Sequence, residues 1–165
     1  MGNLAQELQQ TKKGGFSFPS GAMMDDKAKL LSALKGRDID VHWAAENRIK
    51  DPSFASSRPG KQIRLEFHPA GIGAFKAAKG QTFAAVRDMA LEKKHASMPE
   101  HIGLEAIAAG CEMKPGAQIV FLSEGDKVFV LDREEGSRPK LYYISADNRC
   151  CGECIFVTMN GKMQT

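Results

Sequence analysis

Ile119-Val120-Phe121-Leu122 and Val128-Phe129-Val130-Leu131 stand on either side of Ser123-Glu124-Gly125-Asp126-Lys127. Both flanks are short, uncharged and rich in β-branched and aromatic residues. The punctuation between them sets a glycine among acidic residues, so the stretch reads as two strands closed by a tight hairpin. Two more runs of this kind follow, residues 141–144 and Cys154–Met159, with a charged loop over 132–139 between the second and third runs. Four such runs in succession predict an antiparallel β-meander in the C-terminal part of the chain.

Upstream, Ile63, Leu65 and Phe67 alternate with Arg64, Glu66 and His68, the period-2 pattern of a half-buried strand that Pro69 ends. With Phe67 turned inward, His68 turns outward. Gly71-Ile72-Gly73-Ala74-Phe75-Lys76 then reads as a tight turn rather than a phosphate loop, because no Gly-Lys-Ser or Gly-Lys-Thr follows it.

Helical spacing recurs elsewhere. Ala28, Leu31 and Leu34 predict a helix over residues 25–35, with Asp25 and Asp26 at its positive end and Gly36 as its stop. Thr82 caps a helix over residues 83–94 that puts Phe83, Val86 and Ala90 on one face. Ser97-Met98-Pro99-Glu100 has the form of a capping box and opens a helix carrying Ile102, Ala106 and Ile107 as far as Gly110. A short helix over residues 41–49 holds the single tryptophan, Trp43. The expected fold is α+β: one domain over residues 23–165, its helices packed on one face of a small, mainly antiparallel sheet. Residues 1–22, broken by Lys12-Lys13-Gly14-Gly15 and Phe18-Pro19-Ser20-Gly21, are expected to be a flexible leader.

At 165 residues the chain is long enough to bury a core without disulfides or a metal. Its 42% hydrophobic and 26% charged content is that of a globular protein, and no uncharged run approaches the roughly 18 residues of a membrane span. The first residues lack the basic-then-apolar order of a secretory signal, which makes the cytoplasm the expected compartment. The four cysteines, two of them adjacent, do not have the spacing of a disulfide framework, so reduced thiols are expected.

Net charge is +3, but residues 1–99 hold 16 of the 23 Lys and Arg and 10 of the 20 Asp and Glu, giving +6 against −3 for the remainder. Arg48, Lys50, Arg58, Lys61, Arg64, Lys76 and Lys79 are the bases that would meet an acidic partner, although Asp38, Asp40, Glu46, Asp51 and Glu66 are interleaved with them.

The densest local chemistry is Cys150-Cys151-Gly152-Glu153-Cys154. A Cys-x-x-Cys pair chelates a soft metal, cycles as a dithiol or supplies a nucleophile, and each use needs partners from elsewhere in the chain. Three readings of function follow. In the first, the protein is a non-enzymatic binding or regulatory module that engages an acidic protein or nucleic acid through its basic N-terminal portion. In the second, it is a cysteine-dependent hydrolase or transferase in which Cys151 or Cys154 pairs with His68, oriented by Asp147 or Glu66. In the third, zinc stabilises an interaction module through Cys150, Cys151 and Cys154, completed by Cys111 or one of His42, His68, His95 and His101. The first asks for the least assembled chemistry and is the one the sequence favours.

Overall fold

A computed structural model describes residues 15–20, 27–51, 54, 61–71, 73–93, 95, 98–108, 117–132, 136–149 and 153–159. In chain order its elements are β1 (Gly15–Ser20), α1 (Lys27–Gly36), β2 (Asp40–Val41), α2 (Trp43–Lys50), β3 (Lys61–Pro69), a 3-10 segment (Gly73–Ala78), α3 (Phe83–Glu92), α4 (Glu100–Ala108), β4 (Gln118–Phe121), β5 (Lys127–Asp132), β6 (Lys140–Ser145) and β7 (Cys154–Met159). The helices start where polar caps allow: Thr82 Oγ1 accepts from Ala85 N at 3.1 Å, and His42 Nδ1 accepts from Ala44 N at 3.2 Å.

The strands form one seven-stranded sheet in the order β1-β3-β7-β4-β5-β6-β2. Antiparallel pairing joins β4 to β5 and β5 to β6, as the hairpin pattern predicts. The expected meander breaks at its last strand. β7 does not return beside β6 but inserts between β3 and β4, antiparallel to the first and parallel to the second. The free edge of β6 pairs instead with β2, also in parallel, so the sheet is mixed. Apolarity explains the choice, because Cys154, Phe156, Val157, Thr158 and Met159 are all buried and only an interior strand is covered on both faces. Residues 15–20, within the expected leader, form the edge strand β1 against β3; residues 1–14 and 21–22 of that leader lie outside the described residues.

Helices cover both faces of the sheet, not one. Leu65 and Phe67 of β3, Ile119 and Phe121 of β4 and Val157 and Met159 of β7 pack against α1, α2 and α4 in the larger core. Val120, Val128, Val130 and Phe156 turn the other way, onto Phe75 of the 3-10 segment and Phe83, Val86 and Ala90 of α3. His68, read from alternation as solvent-facing, therefore points toward this second layer.

From His101 to Ala108, α4 is buried throughout. A Cβ added at Gly103 would fall 2.6 Å from Cδ1 and 2.8 Å from Cγ of Phe121, so glycine is what lets α4 lie against β4. An alanine would gain about 1 kcal/mol of helix propensity, yet overpacking a core costs about 1–3 kcal/mol and the Phe121 ring is itself fully enclosed. We expect Gly103→Ala to destabilise the fold by about 1 kcal/mol or more in urea titration; a stabilised variant would mean that α4 stands further from the sheet.

His101 is 3% exposed, and neither ring nitrogen has a hydrogen-bond partner. Burial pushes its pKa down to about 4, against the opposing pull of Glu100. Between that value and the unfolded value of about 6.5, the unfolded chain takes a proton the folded chain refuses, so stability falls as pH drops through this window. We expect His101→Leu to raise stability at pH 7 and to remove about 1–2 kcal/mol of the loss between pH 7 and pH 5 in urea titrations. An unchanged pH slope would contradict the buried neutral imidazole.

Candidate metal centre

Alternation along β3 puts Glu66 and His68 on the same face, two residues apart, above the smaller core. The antiparallel register sets Glu66 opposite Thr158 and His68 opposite Phe156. Thr158 is thus the diagonal neighbour of His68, and its fully buried Oγ1 lies 2.9 Å from His68 Nε2. This bond fixes the ring and leaves Nδ1 as the nitrogen for a further partner. On one side the His68 ring is stacked by Phe75, with centroids 4.3 Å apart and planes 15° from parallel.

The third member arrives from the other layer. Main-chain bonds from Phe83 N to Asn148 O and from Ala84 N to Ala146 O anchor the start of α3. Arg87 Nη1 donates to the carbonyls of Ser123 and Gly125 at 2.8 Å, tying the helix to the β4–β5 hairpin. Past its C-cap the chain doubles back, with His95 N donating to Ala90 O at 3.0 Å. The His95 ring then meets His68 edge-on, centroids 4.5 Å apart, while its Nδ1 lies 3.6 Å from Glu66 Oε1.

Glu66, His68 and His95 each bring one ligand atom to within 4.8 Å of the others, the one such group of three found among the described residues. Ligand atoms bound to one tetrahedral ion at about 2.1 Å are about 3.4 Å apart, so a closure of at most about 1.4 Å completes the geometry. Protonation does not compete at His68, whose pKa is pushed down to about 4 by burial and, to a lesser degree, by the neighbouring His95. Its imidazole is neutral at physiological pH, the form that binds metals. All three side chains are half-buried, and none is sealed from solvent.

The residues singled out from sequence fall elsewhere or only partly here. Of them, His68, Glu66 and His95 form the group, the last two named from sequence only as an orienting carboxylate and as one of four histidines that would complete a cysteine zinc site. Among the described residues, the ring neighbours of His68 are Phe75 and His95 and its hydrogen-bond partner is Thr158. Cys154 is buried in the smaller core, and its thiol donates to Gln118 Oε1 at 3.6 Å, the arrangement of a protonated sulfur. Cys111, Cys150, Cys151 and Arg58 lie outside the described residues.

The described basic residues sit on several elements. The Arg48 guanidinium binds Glu100 beside the Phe54 ring, and this pairing raises its pKa. Lys50 pairs with Glu46, whose carboxyl Lys35 and Lys50 together hold below its usual range. Lys61 opens β3, Arg64 is half-buried further along it, and Lys76 and Lys79 are exposed around the 3-10 segment.

The sequence offers His68 as a catalytic or zinc-binding residue, Glu66 as a carboxylate to orient it and His95 as one of four histidines that would complete a cysteine zinc site, but it does not join the three to one another. The pairing of Glu66 with His68 was available, since i and i+2 on a strand share a face. Nothing in the spacing ties His95 to them, because it reaches the site through the packing of α3. Comparison of the chain with protein-family models, with curated proteins and with solved structures finds no match.

Proposed function

We propose that the protein binds one divalent transition-metal ion through Glu66, His68 and His95. The observation that carries this reading is the convergence of three ligand atoms within 4.8 Å on a strand and a helix end that are fixed by other contacts. Two imidazoles and one carboxylate are the donor set of open zinc sites and of non-haem iron sites, and with only three protein ligands a position is left for water or a substrate. An ion bound there lowers the pKa of its water or polarises a carbonyl or phosphoryl oxygen. The chain supplies the rest: Thr158 orients His68, Phe75 covers one side of its ring, and the neutral imidazole is ready to bind. This reading replaces the cysteine cluster with a histidine–carboxylate centre and makes a hydrolytic role the first activity to assay.

The test is titration of the chelator-treated protein with Co(II), followed by d–d absorption, and with Zn(II), followed by calorimetry. We expect one site per chain. His95→Gln should abolish it, and Thr158→Val, which keeps the shape but removes the hydroxyl, should weaken it about 10- to 100-fold. At about 100 times the dissociation constant, zinc should add about 2.7 kcal/mol to stability. Absence of stoichiometric binding would overturn the proposal. Binding that survives His95→Gln but shows intense sulfur-to-cobalt absorption would return the metal to Cys150, Cys151 and Cys154.

A further inference from the structure

The parallel register of β2 and β6 sets Asp40 opposite Lys140, and His42 N continues the ladder by donating to Leu141 O at 2.9 Å. Period-2 alternation therefore carries Asp40 and His42 to the same side as Lys140 and Tyr142, while Leu141 goes to the larger core. The His42 ring lies 5.4 Å from Tyr142 on one hand and 5.4 Å from Trp43 on the other, tilted by 40° and 37°. Trp43, the first residue of α2, is 69% exposed, more than any other large hydrophobic residue among those described. A cavity of about 280 Å³ opens here, lined by Asp40, Val41, His42, Trp43, Lys140 and Tyr142.

We propose that this cavity takes a guanine base from single-stranded nucleic acid. A base stacks on an exposed indole whatever its identity, which gives the site its affinity. The flanking charges give it a preference. Lys140 only donates and Asp40 only accepts, and an unstacked guanine offers O6 as acceptor beside the N–H donors of its Watson–Crick edge. Adenine sets an amino donor where guanine has O6 and so meets the ammonium with like polarity.

The openness of the cavity argues for a strand rather than a monomer, since one covered ring face holds a free nucleotide weakly. Lys50 lies seven residues beyond Trp43, about 10 Å along the axis of α2, and Arg138 precedes Lys140 by two residues. Both side chains are 59% exposed, in surface pairs with Glu46 and Asp38 that a phosphate displaces at small cost.

Trp43 is the single tryptophan, so its emission reports on this site alone. The probe is a thymidine strand of about 10 nucleotides with one central guanine, titrated with chelator present so that the histidine centre plays no part. We expect saturable quenching that weakens with salt, and at least fivefold weaker binding when adenine replaces the guanine. Asp40→Asn should erase that preference while keeping the reporter. Trp43→Ala, followed by anisotropy of a labelled strand, should lose binding without lowering the melting temperature, because the indole is exposed. No quenching, equal affinity for the two strands, or undiminished binding by Trp43→Ala would overturn the proposal. Equal affinity for guanosine monophosphate and the strand would overturn the part played by Lys50 and Arg138.

Discussion

β7 is the strand on which the two layers depend. It is buried on both sides, with Val157 and Met159 in the larger core and Cys154 and Phe156 in the smaller, and it is hydrogen-bonded on both edges. A fully buried Val, Phe or Met side chain contributes about 1.5–3 kcal/mol, so a strand of this composition gains most where no face is wet. Once it occupies the gap between β3 and β4, the β4–β5–β6 ladder and the β1–β3 pair become one sheet. The parallel contact with β4 follows, and so does the need for helices on both faces.

The same placement makes the histidine centre. Thr158 is the one polar residue β7 turns toward the second layer among buried neighbours, and it finds its partner across the strand pair in His68. A buried hydroxyl without a partner costs about 1–3 kcal/mol, so the bond stabilises β7 in register and fixes His68 at once. Phe75 then stacks on His68 and, at 6.1 Å between centroids, on Phe156. The ring that offers a nitrogen to Glu66 and His95 is therefore held by the second core. The centre is open above and packed below, as a binding site that keeps a free coordination position requires.

Local signals carried much of this fold. The hairpin around Glu124-Gly125-Asp126, the cap at Thr82 and the alternation of residues 63–68 all act within a few residues, and each appears where the chain places it. What escaped were the partners of β3 and β7. Period 2 tells that Phe67 and His68 face opposite ways, but it is silent on whether the second face is wet, because that depends on where α3 lands. The order of β7 and β6 was hidden for a related reason: Cys154–Met159 is apolar at nearly every position, and adjacency in sequence argued for β6 while burial on two faces decided for β3 and β4. The cysteine cluster drew attention because its members are neighbours in sequence. His95 is a neighbour of Glu66 and His68 only in space.

The central claim is that His68 and His95 share an ion, and the four histidines make it directly testable. Histidine-selective nitrogen correlation spectra of the metal-free protein, before and after one equivalent of zinc, report each ring separately. The account predicts metal-induced shifts at one nitrogen each of His68 and His95, with His42 and His101 unmoved. Shifts at neither ring, or shifts confined to His42 or His101, would contradict it.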